Sequence, residues 1–147
     1  MTGLRLTHIG LCVADLERSL TFYCEGLGFQ RISDLALEGE PAATLLELPD
    51  VALQAVYLER DGFRLELLHY PRPGALGDRV PRPMNQLGLT HLSFQVDRLD
   101  EVLNRLCKLG GKVIEKSRID IPAMGAAAVF LTDPDGTRIE LVQLPHD

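Results

Sequence analysis

One eight-residue stretch near the end of the chain is repeated earlier in the sequence. Residues 135–142 read DGTRIELV and residues 61–68 read DGFRLELL. In each copy an Asp-Gly turn signal precedes a run of β-forming residues whose only charges are one Arg and one Glu. Because successive side chains of a strand point to opposite faces, Glu66 and Glu140 point away from their apolar neighbours. A carboxylate within such a run needs a partner such as a metal ion, a base or water.

A histidine-containing segment is repeated in the same way. Residues 7–13 read THIGLCV and residues 90–96 read THLSFQV, and the same spacing of leucines follows each copy. Repetition of both segments predicts two copies of one module, each of which contributes one His and one Glu. The four residues grouped by this repetition are His8, Glu66, His91 and Glu140.

The apolar periodicity within the modules predicts an α+β fold. In the first module, residues 1–70, we expect strands at 4–13, 29–37, 52–59 and 63–69 and helices at 15–27 and 42–48. In the second module, residues 88–147, we expect strands at 89–96, 112–118, 126–132 and 137–144 and a helix at 99–109. Residues 71–87, rich in Pro, Gly and Arg, are the expected linker. Residues 145–147 are expected to form a frayed tail.

Length, charge and cysteine content exclude several classes of protein. A chain of 147 residues is long enough for one folding unit shared by both modules. A net charge of −6 argues against nucleic acid or an anionic membrane surface as a partner. No apolar run approaches the roughly 20 residues that span a bilayer. Three cysteines without CxxC spacing predict no disulfide framework, and we expect a cytoplasmic protein.

The two imidazoles and two carboxylates form a suitable ligand set for one divalent metal ion. Nickel, cobalt, zinc, iron and manganese all accept such a mixture of nitrogen and oxygen ligands. Four protein ligands on an octahedral ion leave two positions, which two neighbouring oxygens of a substrate would fill. The simpler alternative is that duplication preserved a hydrogen-bonded structural His and a solvent-facing Glu in each module.

Further candidates share strand faces with these four residues. Cys12 lies on the same face as His8, and we expect it to line a pocket rather than act as a nucleophile, because no third group orients the pair. Ser93 and Gln95 are placed with Cys12 as candidate substrate-binding residues.

Two arginines and one further histidine require separate interpretations. Arg64 and Arg138 have the same strand parity as the two glutamates, so they are ion-pair partners, substrate anchors or solvated surface residues. His69 has the opposite parity to Glu66 and is therefore expected to face outward.

The order of these segments resembles the vicinal oxygen chelate superfamily, which contains glyoxalases, bleomycin-resistance proteins and extradiol dioxygenases. The resemblance implies paired β-α-β-β-β modules that form an open, eight-stranded mixed barrel around a metal ion. In metal-dependent members similar to glyoxalase I, the positions of His8, Glu66, His91 and Glu140 are ligands. The segments that carry the resemblance are residues 7–11, 15–23 and 27–29, Glu66, residues 90–94 and residues 133–141.

The same resemblance implies a lyase or isomerase that acts on a small carbonyl or thioester substrate. In such members a carboxylate removes a proton next to a carbonyl, and the metal stabilises the resulting enediolate or enolate. Glu140, with Glu66 as its partner, is the expected catalytic carboxylate. Cys12 and Tyr70 stand where glutathione-dependent members carry a basic anchor and an amide, which argues against glutathione.

Three alternatives remain open. An acyl-CoA epimerase similar to methylmalonyl-CoA epimerase fits the first strand and residues 66–69, with Glu47 as the candidate for that family's additional carboxylate. An extradiol-type dioxygenase would use two His and one carboxylate on iron, which leaves Glu66 without a role. A non-catalytic, antibiotic-binding resistance protein would need none of the four ligands. In each case we expect a homodimer, because open sheet edges pair readily.

Overall fold

The structure, a computed structural model, describes residues 2–145 and confirms the α+β class. The chain divides into two compact units, with the boundary between Gly77 and Asp78. His146 and Asp147 of the expected tail lie outside the described residues. Every helix within the described range is too short or too polar to cross a lipid bilayer.

The first unit contains one mixed sheet of four strands in the order β1-β4-β3-β2. Strand β1 runs parallel to β4, whereas β2, β3 and β4 pair antiparallel. The strands are β1 (Ile9–Cys12), β2 (Gln30–Glu38), β3 (Ala52–Arg60) and β4 (Phe63–Arg72), and the helices are α1 (Leu16–Leu20) and α2 (Ala42–Leu46). Strand β4 continues to Arg72 and so includes the first two residues of the segment predicted as a linker at 71–87.

The helix predicted at 15–27 begins as expected but changes its winding after Leu20. The side chain of Asp15 caps α1 by accepting a hydrogen bond from the backbone N–H of Arg18, at 3.0 Å. Residues Thr21–Gly26 then form a π-helical turn, in which the N–H of Leu27 donates to the carbonyl of Phe22, five residues back. The segment therefore remains helical to its predicted end without being one continuous α-helix.

The second unit contains a five-stranded mixed sheet in the order β5-β9-β8-β6, and β7 also pairs with β8. Strand β5 is parallel to β9, and the remaining pairs are antiparallel. The strands are β5 (His91–Gln95), β6 (Lys112–Val113), β7 (Ile119–Ile121), β8 (Ala126–Thr132) and β9 (Arg138–Gln143), and the helix is α3 (Leu99–Lys108).

The prediction of one continuous strand at 112–118 is wrong. This segment is interrupted by a 3-10 turn at Glu115–Ser117, so the described residues form nine strands rather than the expected eight. The Ser117 hydroxyl donates to the carbonyl of Ile114 at 2.6 Å and accepts from the N–H of Phe130 at 2.8 Å. A side-chain hydroxyl that satisfies backbone groups in this way replaces local pairing between strands.

Apolar residues fill one face of each sheet's central strand. Leu67 on β4 and Leu141 on β9 occupy equivalent places in the repeated stretch, and both are completely buried. Glu66 and Glu140, one residue earlier, are only partly covered, so each strand has a core face and a polar face. The predicted alternation of these strands is confirmed.

Replacement of either central leucine should therefore destabilise the protein. We expect Leu67→Ala and Leu141→Ala each to lower the free energy of unfolding by about 2–5 kcal/mol, because each leaves a cavity in a packed core. Urea denaturation followed by circular dichroism measures the change. The control Leu45→Ala, at a side chain that is 81% exposed, should shift the free energy by no more than about 0.5 kcal/mol. Core variants as stable as this control would contradict the packing described above.

Candidate functional site

The first unit brings His8 and Glu66 together on the polar face of its sheet. Parallel pairing of β1 with β4 places Glu66 beside Gly10, and His8 lies just before β1. The His8 Nε2 atom is 3.8 Å from Glu66 Oε1. The Thr7 hydroxyl lies 2.8 Å from His8 Nδ1, and the imidazole packs edge-on against Tyr57 with 5.1 Å between ring centroids. These contacts hold the ring with Nε2 towards the carboxylate.

The second unit repeats this arrangement with different neighbours. Parallel pairing of β5 with β9 places Glu140 beside Ser93. The His91 Nε2 atom is 3.9 Å from Glu140 Oε1, and the Thr90 hydroxyl lies 2.7 Å from His91 Nδ1. The His91 ring packs edge-on against Phe130 at 5.3 Å. Sequence repetition therefore corresponds to a repeated geometry, in which each unit supplies one oriented imidazole and one carboxylate.

The geometry of each pair fits metal ligation. Separations of 3.8 and 3.9 Å are too long for a hydrogen bond between the ring nitrogen and the carboxylate oxygen. Two ligand atoms bound at right angles to one ion lie about 3 Å apart, so a small side-chain adjustment would bring each pair to that distance. A hydroxyl group at Nδ1 is the type of outer contact that orients a histidine for ligation through Nε2.

Within residues 2–145, no three His, Cys, Asp or Glu side chains are grouped so that they could hold a metal ion. The structure forms a two-residue pair in each unit. The centre in which His8, Glu66, His91 and Glu140 bind one ion together stays a prediction. The donor set, two imidazoles and two carboxylates, suits a divalent transition metal.

A tyrosine that the sequence analysis did not identify contacts the first pair. Tyr57 on β3 is the register partner of Glu66, and its hydroxyl donates a hydrogen bond to that carboxylate. This bond, followed by burial, raises the pKa of Tyr57 above its ordinary value of 10.0. Its equivalent in the second unit is Phe130, the register partner of Glu140. An aromatic residue at the equivalent place in both modules, Tyr57 and Phe130, is the sequence signal that could have identified this position.

The second carboxylate receives its hydroxyl from the other neighbouring strand. The Ser93 hydroxyl on β5 donates to Glu140 Oε1 at 2.6 Å. The residue beside Glu66 on β1 is Gly10, which has no side chain to donate. Each carboxylate thus accepts one hydroxyl, but from opposite sides, and the two pairs are chemically distinct.

The remaining candidate substrate contacts lie on the same faces. Cys12 is exposed and is the register partner of Leu68 on the Glu66 face of the sheet. Burial, followed by the charges of Cys12 and Glu66, raises the pKa of Tyr70. In the second unit, Gln95 is exposed and pairs with Val142. The predicted substrate-binding roles of Cys12, Ser93 and Gln95 stay predictions.

The two arginines have the predicted parity but different partners. The Arg64 Nε donates to Glu59 Oε2 at 2.8 Å, which is an ion pair. The Arg138 Nε donates to the backbone carbonyl of Arg82 at 2.8 Å. His69 lies on the side of β4 opposite Glu66, as its parity predicted, but is half-buried, with Nδ1 3.5 Å from the carbonyl of Val13. It is not part of the His8 pair.

The chain matches one protein family by sequence, and its fold is similar to that of solved structures. Residues 5–141 match the model of the "Glyoxalase/Bleomycin resistance protein/Dioxygenase superfamily". An uncharacterised protein of Bacillus subtilis, YwkD, is 33% identical over 92% of this chain and 94% of its own. In structure, a glyoxalase family protein from Bacillus cereus superposes with a TM-score of 0.82 over 99% of both chains, at 22% identity.

Relatives with named activities are more distant. An ethylmalonyl-CoA/methylmalonyl-CoA epimerase of Cereibacter sphaeroides is 27% identical over 95% of this chain and 98% of its own. A lactoylglutathione lyase of Salmonella typhimurium is 27% identical over 95% of this chain and 93% of its own. Similar chains of this length therefore carry out more than one reaction.

The bond between Tyr57 and Glu66 predicts an unusual tyrosine titration. Because the bond favours the protonated phenol, the Tyr57 pKa lies above 10.0 in the folded protein, and the stability that the bond contributes is complete below pH 10 and is lost as the pH rises through the raised pKa. Subtracting the ultraviolet absorbance titration of Tyr57→Phe from that of the unmodified protein isolates this phenol.

A matched pair of variants identifies the cause of the shift. Glu66→Ala should return the Tyr57 pKa towards about 10, whereas Glu140→Ala, at the equivalent place in the other unit, should leave it unchanged. A phenol that titrates normally in the unmodified protein, or one that is indifferent to the loss of Glu66, would show that the bond does not form in solution.

Proposed function

Because the chain belongs to the glyoxalase, bleomycin resistance protein and dioxygenase superfamily, we propose that it is a divalent-metal-dependent lyase or isomerase. The reaction removes a proton next to the carbonyl of a small carbonyl or thioester substrate. The observation that supports this proposal most strongly is the repeated pair, with Nε2 of His8 and of His91 facing a glutamate on the polar face of a sheet. A metal-free binding protein would have no need to orient both imidazoles in the same way.

His8, Glu66, His91 and Glu140 would hold the ion. Two neutral imidazoles and two carboxylates balance the charge of a nickel, cobalt, zinc, iron or manganese dication. When bound, the ion would polarise the substrate carbonyl and stabilise the negative charge that develops beside it. The hydroxyls of Thr7 and Thr90 keep the two rings in place through Nδ1, so their orientation does not depend on the ion.

Glu140 is the proposed base. Its side chain is 29% exposed, whereas that of Glu66 is 12% exposed, so Glu140 is the more accessible of the two carboxylates. Ser93 occupies its Oε1, which leaves Oε2 to take the proton from the carbon next to the carbonyl. Return of a proton to the opposite face of the same carbon would invert its configuration, and return to the neighbouring carbon would isomerise the substrate. Glu66, bonded to Tyr57, is the partner carboxylate.

The same proton transfer serves both of the named relatives. An acyl-CoA epimerase returns a proton to the opposite face of the carbon that lost it, whereas a lactoylglutathione lyase acts on a carbonyl compound joined to a thiol. Cys12 and Tyr70 at the polar face of the first unit give no cationic anchor for a glutathione carboxylate. An acyl-CoA epimerase is therefore the second candidate function.

We further propose a cytoplasmic homodimer. None of the three cysteines, Cys12, Cys24 and Cys107, forms a disulfide in the described part of the chain, which suits a reducing compartment. Strand β2 is at the edge of its sheet and almost all of its residues are exposed, so its unpaired backbone groups could pair with a second copy.

Removal of the proposed base separates metal binding from turnover. We expect Glu140→Gln to retain much of the metal, through the remaining ligands, and to lose activity by about a hundredfold or more. Ser93→Ala should cost less, about tenfold, because it removes one hydrogen bond to the base. The assay panel contains methylglyoxal with several thiols and racemic acyl-CoA compounds, with metal content measured by mass spectrometry for each variant.

The results of these measurements distinguish the alternatives. Unchanged turnover in Glu140→Gln would remove this residue from the mechanism. Purification without chelators that yields no bound metal would favour a non-catalytic binding protein. Iron content together with oxygen-dependent cleavage of a catechol would favour a ring-cleaving dioxygenase.

A further inference from the structure

Because the two modules are repeats, a charged residue on the polar face of one sheet can be compared with the equivalent residue of the other sheet. Arg64 and Arg138 are equivalent, each two residues before its glutamate. The register partner of Arg64 on the neighbouring strand is Glu59, with which it forms an ion pair at 2.8 Å. The register partner of Arg138 is Thr132, which has no charge. The first unit therefore neutralises its arginine, whereas the register partner of Arg138 supplies no charge.

Arg138 is nevertheless held in a defined position. Its Nε donates to the carbonyl of Arg82 at 2.8 Å, and the guanidinium lies over the ring of Phe130, 5.7 Å from the centroid. These contacts restrain the side chain without neutralising it, because a backbone carbonyl and an aromatic face carry no net charge. Among the described residues, no carboxylate forms an ion pair with this guanidinium.

The restrained cation lies next to the candidate metal ligand of its unit. His91 and Arg138 are register partners on parallel strands, so their side chains leave the sheet on the same face. Phe130 contacts both, edge-on with the imidazole at 5.3 Å and face-on with the guanidinium. A substrate that approaches Glu140 would therefore pass within reach of a positive charge for which residues 2–145 supply no carboxylate counterion.

We propose that Arg138 binds an anionic oxygen group of the substrate, either a carboxylate or a phosphate. This inference deepens the proposed function and rests on it, because it assigns an anionic substrate class to the same site. A guanidinium presents parallel N–H donors that match two oxygens of such a group, and its Nε is the nitrogen already used by the protein. The anionic group is bound beside the reacting carbon, so that Arg138 determines specificity and Glu140 moves the proton.

The test measures binding of two simple anions, malonate and inorganic phosphate, to the protein as purified. Backbone amide shifts in NMR titrations give the dissociation constant for each anion, and the tighter anion identifies the preferred group. We expect Arg138→Gln to weaken binding about tenfold or more, and Arg138→Lys to retain part of the affinity. The matched variant Arg64→Gln should leave the affinity unchanged, because Arg64 is already paired. Equal affinity in Arg138→Gln and the unmodified protein, or an equal loss in Arg64→Gln, would overturn the proposal.

Metal content measured on the same samples keeps this inference separate from the proposed function. If each sample binds metal but the affinity for anions does not depend on Arg138, the inference fails while the proposed function stands. If Arg138→Gln loses affinity for anions but no sample binds metal, the anion-binding role is supported and the metal-dependent function fails. Melting temperatures that agree between Arg138→Gln and Arg64→Gln verify that both variants are folded.

Discussion

Parallel pairing of the first strand with the last strand of each module is the constraint on which the rest of the site depends. It places the residue two positions after each histidine directly beside the glutamate, as Gly10 beside Glu66 and Ser93 beside Glu140. The histidine, just before or at the start of its strand, then lies within 4 Å of that carboxylate. A shift of register by one residue would turn each glutamate into the apolar core, where its charge could not be solvated.

The two modules share this strand pairing, but the residues that surround the glutamate differ between them. The hydroxyl that bonds the carboxylate comes from Tyr57 on one side in the first unit and from Ser93 on the other side in the second. The arginine two residues before the glutamate is ion-paired in the first unit, whereas in the second it donates to a backbone carbonyl. The more exposed carboxylate, its serine and the unneutralised arginine all belong to the second unit. We therefore assign proton transfer and recognition of the substrate's charge to that unit.

The sequence predicted features that depend on alternation and repetition. The parity of Glu66, Glu140 and both arginines follows from the two-residue period of a strand, and the start of the helix predicted at 15–27 follows from local chemistry. The sequence did not predict features that depend on which neighbouring groups form hydrogen bonds or contacts with one another. Ser117 takes over backbone hydrogen bonds and divides a predicted strand, and Tyr57 contacts Glu66 only through pairing with a different strand.

The central claim is that the two His–Glu pairs, one from each module, serve one metal ion. Calorimetric titration of chelator-treated protein with nickel tests this claim most directly. We expect one ion per chain, and either His8→Ala or His91→Ala alone should weaken its binding by about a hundredfold or more, because each removes a direct ligand of the same ion. Two ions per chain, or a variant that loses one site and retains the other at full affinity, would contradict a shared centre.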